Sequence, residues 1–154
     1  MSSAFTRESD SGIAEDVGER PVSTHRNLVT PRGFEAIEQE LEASRVALAT
    51  AEREQDRRAI ALAARDLNYW SARRSNAELV KPNPDKAEVR FGHTVTLKTS
   101  GGETIRFAIV GEDEADPAKG SIPHVAPLAQ ALLGKSVGDE VDVKRAPAEI
   151  VAID

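Results

Sequence analysis

Four acids crowd into five residues at Glu112, Asp113, Glu114 and Asp116, with Ala115 between the last two. Carboxylates this close together can hold a hard cation, meet a basic partner surface through charge-assisted pairs, or simply face water. A cation needs several oxygens turned inward in fixed geometry, which a plain acidic run does not enforce, so no metal is expected here. A second acidic group, Glu52, Glu54 and Asp56, is interleaved with Arg53, Arg57 and Arg58. Those arginines neutralise the acids and repel a cation, which favours an ordinary charged turn over a magnesium site shared with a partner.

Other chemical signals fail on spacing. Gly134-Lys135-Ser136 resembles the end of a phosphate-binding loop, but Ala129 stands where the loop needs glycine and the segment follows a helical stretch instead of a strand. His25, His93 and His124 fall in tail, strand and loop without ligand spacing, and only His124 is kept as a partner-contact candidate. No nucleophile and base stand together, so neither a catalytic residue nor a cofactor is expected.

The chain's 154 residues suit one ordinary domain, or a small domain with a helical appendage. Its formal net charge of -6 argues against free nucleic acid as a direct target, since phosphate binding needs a basic face. Without cysteine it has neither disulfides nor thiolate metal sites. Met1 to Asp10 lack the basic start and apolar run of a signal peptide, and no stretch has membrane-spanning length, so the cytoplasm is the expected compartment.

Residues 1–29 are expected to be a mobile tail, because their Ser, Glu, Asp and Gly show no sustained apolar period. Thr30-Pro31 then reads as an N-cap with proline at the first helical position. Phe34, Ile37, Leu41, Ser44, Leu48 and Ala51 step by three and four, and Ile60, Ala63, Leu67, Trp70, Arg74 and Ala77 continue the seam. The spacing predicts an antiparallel helical hairpin over residues 30–80, turning within Glu52 to Arg58. Lys81-Pro82-Asn83-Pro84-Asp85 ends the helices and opens a second domain, 81–154. There the period changes to two: Val95 and Leu97 face Ile105, Phe107 and Ile109 across Ser100-Gly101-Gly102, and Val141, Val143, Ile150 and Ala152 supply further strands. Pro127 to Leu133 reads as a short helix stopped by Gly134, giving an α+β domain of antiparallel sheet and one helix.

Several segments, in order, resemble the GreA/GreB transcription elongation factor family. They are Thr30-Pro31-Arg32-Gly33-Phe34, where the family opens with a similar Thr-x-x-Gly; Ser75 to Val80, like the family's exit from its second helix; Val89 to Val95; Ile109 to Asp116; Pro127 to Lys135; and Gly138-Asp139. The resemblance implies an FKBP-like C-terminal domain that docks at the rim of the secondary channel of bacterial RNA polymerase, while the hairpin enters that channel. It implies partner contacts at Asp113, Glu114, Ala115, Asp116, Ile122, His124 and Pro127. In that family an acidic hairpin tip helps hold the catalytic magnesium for cleavage of backtracked RNA.

Two departures qualify the resemblance. The family's tip motif, of the type Asp-Leu-x-Glu-Asn-Ala-Glu-Tyr, is replaced by the mixed charges around Glu52, Glu54 and Asp56, on a hairpin shorter than the family's usual one. The family's Ile-Ser-x-x-Ser-Pro becomes Ile122-Pro123-His124-Val125-Ala126-Pro127, which loses a serine N-cap. The expected function is therefore regulation of transcription by binding polymerase without stimulating transcript cleavage. A true cleavage factor is the alternative within transcription, and a general protein-interaction module or chaperone is the alternative outside it. Prolyl isomerase activity, which the implied fold would allow, lacks its aromatic pocket, since only Phe91 and Phe107 follow Trp70 among the aromatics.

Overall fold

The computed structural model describes residues 17–154, and the greater part of the expected mobile tail lies outside them. The described chain forms two compact units. One holds Ala36–Asn76 with the residues up to Thr24, and the other holds His25–Glu35 with Ala77–Asp154.

Two long helices, α1 (Pro31–Glu54) and α2 (Arg57–Ser75), dominate the first unit. Ile37, Leu41, Ser44 and Ala51 of α1 are buried at the expected spacing, as are Ala63 and Trp70 of α2. Ser44 is tolerated inside because its hydroxyl donates to the Glu40 carbonyl at 2.9 Å. The helices reverse at Gln55, which takes the left-handed φ of 54° that glycine usually supplies. Asp56 then caps α2, its carboxylate accepting from the Ala59 N–H at 3.1 Å. At the other end of the hairpin Arg74 reaches Glu38 at 3.6 Å. Here the seam departs from the expected one: Arg73, three residues after Trp70, is fully buried, while Arg74 points outward. Val17–Arg20 lie along α2, where Arg65 donates to the Val17 carbonyl at 3.1 Å. The Arg20 guanidinium sits 3.9 Å from the Tyr69 ring centre and 5.0 Å from that of Trp70.

In the second unit, strands β1 (Asn27–Val29) and β2 (Ala77–Leu79) pair in parallel. This pair corrects two expectations. Residues 27–29 are strand instead of tail, with Asn27 and Val29 both buried, and Ala77 begins a strand instead of closing the helical seam. Three residues carry too short a pattern to reveal a strand in sequence, so only the pairing discloses them.

The main sheet runs in the order β5-β4-β3-β7-β6, from β3 (Thr94–Thr99), β4 (Thr104–Val110), β5 (Ser121–Pro123), β6 (Glu140–Val143) and β7 (Ala146–Ile153). Four of these strands are antiparallel as expected, and the edge strand β5 joins β4 in parallel, making the sheet mixed. Val95, Leu97, Ile109, Ile150 and Ile153 share the inner face with Ala129 and Leu132 of the short helix α3 (Pro127–Leu132). At Thr96/Leu97 the register of β7 slips past Val151, a bulge that keeps Ile150 and Ile153 both inward. His93 pins the proline-rich linker. Its Nδ1 accepts from the Arg90 N–H at 3.0 Å, which leaves Nε2–H to donate to the Asn83 carbonyl at 2.8 Å.

Candidate functional site

The acidic loop is the crossover between parallel strands β4 and β5, and that role gives it structure. Parallel neighbours cannot be joined by a tight hairpin, so the chain must climb out of the sheet and return. It leaves at Gly111, whose carbonyl accepts from the Glu114 and Ala115 N–H groups at 3.3 and 3.1 Å. It returns through a 3-10 turn at Pro117–Lys119 and the left-handed Gly120. Ser121 closes the loop: its hydroxyl accepts from the Asp116 N–H at 2.7 Å, and its own N–H donates to the Asp116 carbonyl at 3.1 Å. Glu112, Asp113, Glu114, Ala115 and Asp116 are consequently half-buried instead of freely solvated.

Each carboxylate has its own environment. Glu114 turns inward, accepting from the Thr30 hydroxyl at 2.6 Å. Asp116 stands outward with Lys119 at 4.0 Å. Glu112 acts electrostatically on His124. Of the remaining candidates, Ile122 lies in the core of the sheet, His124 is buried with its ring edge-on to Phe91 at 5.6 Å, and Pro127 is exposed at the start of α3. Ala126 cannot cap α3 as a serine would. The Gln130 side chain instead donates to the His124 carbonyl at 2.6 Å and ties the helix to the preceding loop. The tip acids sit in the other unit. Glu52 and Glu54 are exposed, and the Asp56 carboxylate is engaged as the cap of α2. Among the described residues, no three His, Asp or Glu side chains converge as a metal ion would need.

Sequence reading missed the contacts between this loop and the start of the chain's first helix. The Thr30 hydroxyl accepts from the Gly33 N–H at 3.0 Å while donating to Glu114, 84 residues away. One signal was available: the first turn of α1 carries no acid, although the positive end of a helix favours one. Beside it, Arg26 of the segment entering β1 makes a two-pronged bond to Glu78 of β2, at 3.1 and 2.7 Å. That bond raises the guanidinium's pKa and lowers the carboxyl's, in an exposed setting where water screens the pair.

Burial holds the His124 imidazole below its ordinary 6.5, outweighing the Glu112 carboxylate and the Arg26 backbone, which favour the proton; the His25 and Arg26 charges act with burial. The unfolded chain therefore takes up a proton that the folded chain resists. Stability from this group is full above the unfolded value and is lost as pH falls through it toward the lower folded value. Urea midpoints of the wild type are expected to drop as pH falls below the ordinary value of 6.5. His124→Gln should flatten that slope, and an equal slope in the variant would assign the effect elsewhere.

A family model described as "Transcription elongation factor, GreA/GreB, C-term" matches residues 83–154. Over 69 residues the chain is 46% identical to a transcription elongation factor GreA of Macrococcus caseolyticus, covering 44% of each chain. Over 81 residues it is 37% identical to a GreB of Haemophilus ducreyi, covering 52% of this chain and 50% of the relative. These matches span about half of the relatives' length or less. A solved GreA/GreB factor from Nitrosomonas europaea aligns over 87% of this chain and 98% of its own, with 21% identity and a TM-score of 0.43. Over residues 83–154, the chain is similar to the C-terminal domain of the GreA/GreB family. Among the described residues, no helix is long and apolar enough to cross a membrane.

Proposed function

We propose that this protein is a Gre-type transcription factor that binds bacterial RNA polymerase at the secondary channel through its C-terminal domain and does not stimulate transcript cleavage. The observation that carries the first half is the family match over residues 83–154, which contains the whole acidic crossover and α3. Asp113 and Asp116, on the crossover, and the exposed Pro127 form the proposed contact surface for a basic patch on the partner. Ile122 and His124 support that surface from beneath it.

The second half rests on the tip. Holding magnesium takes ordered carboxylate oxygens free to turn toward the ion. At this tip the Asp56 carboxylate is already engaged in capping α2, and Glu52 and Glu54 share the turn with Arg53, Arg57 and Arg58. The arms are also short. The 24 residues of α1 and 19 of α2 correspond to roughly 36 and 29 Å of helix. The bound protein then acts by filling the channel and competing with longer factors, so its effect depends on relative concentration.

Retention of polymerase subunits by the full chain tests the first half. Asp113→Ala/Asp116→Ala is expected to weaken the complex by about tenfold for each contact that is desolvated, and by less for one left at the rim. Unchanged affinity in the folded double variant would remove the loop from the interface. Capture of unrelated unfolded clients in place of polymerase would favour a chaperone.

A further inference from the structure

We propose that Glu114 is a positioning residue: its carboxylate closes the first turn of α1 onto the acidic crossover and thereby holds Asp113 and Asp116 in place, without itself meeting the partner. The geometry begins at Thr30, whose hydroxyl is the middle of a relay. It accepts from the Gly33 N–H at 3.0 Å and donates to Glu114 at 2.6 Å. An N-cap threonine satisfies one orphan N–H of its helix in the usual way, and here its proton is used as well.

Gly33 makes room for this arrangement. A β-carbon at Gly33 would stand 2.4 Å from one Glu114 carboxylate oxygen and 2.9 Å from the carboxyl carbon. Only glycine lets the carboxylate lie against the helix there, although glycine is a poor helix residue. With Pro31, Arg32 and Gly33 opening the helix, α1 brings no acid of its own to its positive end. Glu114 supplies that negative charge from a strand crossover distant in sequence. Its second oxygen is buried and, among the described residues, has no hydrogen-bond partner, so it is not presented to an approaching protein.

The arrangement links two otherwise separate features. The N–H groups of Glu114 and Ala115 both turn back to the Gly111 carbonyl, so anchoring the Glu114 side chain also fixes the turn that carries Asp113. By reciprocity, a partner that orders the crossover should also order the start of α1.

A double-mutant cycle on the full chain tests the contact. Alanine at position 33 should favour the helix, but in the wild-type background it displaces Glu114, so the melting temperature should stay level or fall. In the Glu114→Ala background the same Gly33→Ala change should raise it. An equal rise in both backgrounds would overturn the proposal. Amide exchange supplies a readout independent of any partner: Gly33→Ala should speed exchange at Ala115, and protection unchanged there would mean the contact does not hold the crossover.

A third measurement separates positioning from direct contact and rests on the polymerase-binding reading above. Glu114→Gln keeps an oxygen acceptor for Thr30 and removes the charge. If Glu114 positions, the glutamine variant should bind polymerase within about twofold of wild type while Glu114→Ala loses several-fold. Equal loss in both variants, with exchange at Ala115 in Glu114→Gln as slow as in the wild type, would make Glu114 a contact charge and refute the positioning role. If the wild type binds no polymerase, the proposed function fails, and the melting and exchange results still decide whether Glu114 positions the crossover.

Discussion

Gly111→Ala is expected to destabilise the protein by about 1–3 kcal/mol, or more, through one contact with no room to yield. A β-carbon at Gly111 would lie 2.6 Å from the Leu28 carbonyl oxygen and 3.6 Å from both the Leu28 carbonyl carbon and the Val29 Cα. All three atoms are backbone. No rotamer change can move them aside, and the β1–β2 pair must shift instead. The effect is steric alone, because Gly111 is not among the residues with positive φ. Gly101 makes a matched control: it too lacks positive φ, and its nearest neighbour would be the Thr99 hydroxyl at 3.9 Å. Urea unfolding should show a large loss for Gly111→Ala and little change for Gly101→Ala. Equal midpoints for the two variants would mean that β1 does not press on the crossover.

Leu97→Ala should cost about 2–5 kcal/mol, a large part of the roughly 5–15 kcal/mol that a domain commonly has. Leu97 is fully buried on β3, the middle strand of the sheet, opposite Ile105 on β4 and Ile150 on β7. Sheet neighbours on both sides prevent the backbone from closing over the lost atoms, so much of the cavity remains. By contrast, Leu67 on the hairpin seam is only half-buried, and its alanine variant should lose less. A midpoint for Leu97→Ala as high as that for Leu67→Ala would contradict the assigned core.

Long periodic segments were legible from sequence because each repeats its signal several times. Ile37, Leu41, Ser44 and Ala51 announce one helical face, and Val95 with Leu97 announces one sheet face. The turn at Gln55-Asp56 was harder, since Gln55 enters the left-handed region without the glycine that would mark it. Arg73 instead of Arg74 takes the buried place after Trp70, a difference of one residue that the alternating three-four step cannot decide. Strands β1 and β5 are too short for a period, and β5 lies parallel because of how the chain returns after the acidic loop, which local composition does not encode. The site was legible as a charged segment but not as a structure. Glu114 looked like one surface acid among four, and only its pairing with Thr30, 84 residues away, distinguishes it.

Transcript cleavage in backtracked elongation complexes is the most direct test of the proposed function. Added alone, the purified protein should leave the backtracked RNA at the polymerase's intrinsic cleavage rate. Added with a full-length Gre factor, it should slow cleavage as its share of the mixture rises. Glu52→Ala/Glu54→Ala is the informative tip variant, because Asp56→Ala would also remove the cap of α2. Shortening of the RNA above the intrinsic rate by the wild type, lost in Glu52→Ala/Glu54→Ala, would contradict the channel-filling account and make the protein a cleavage factor.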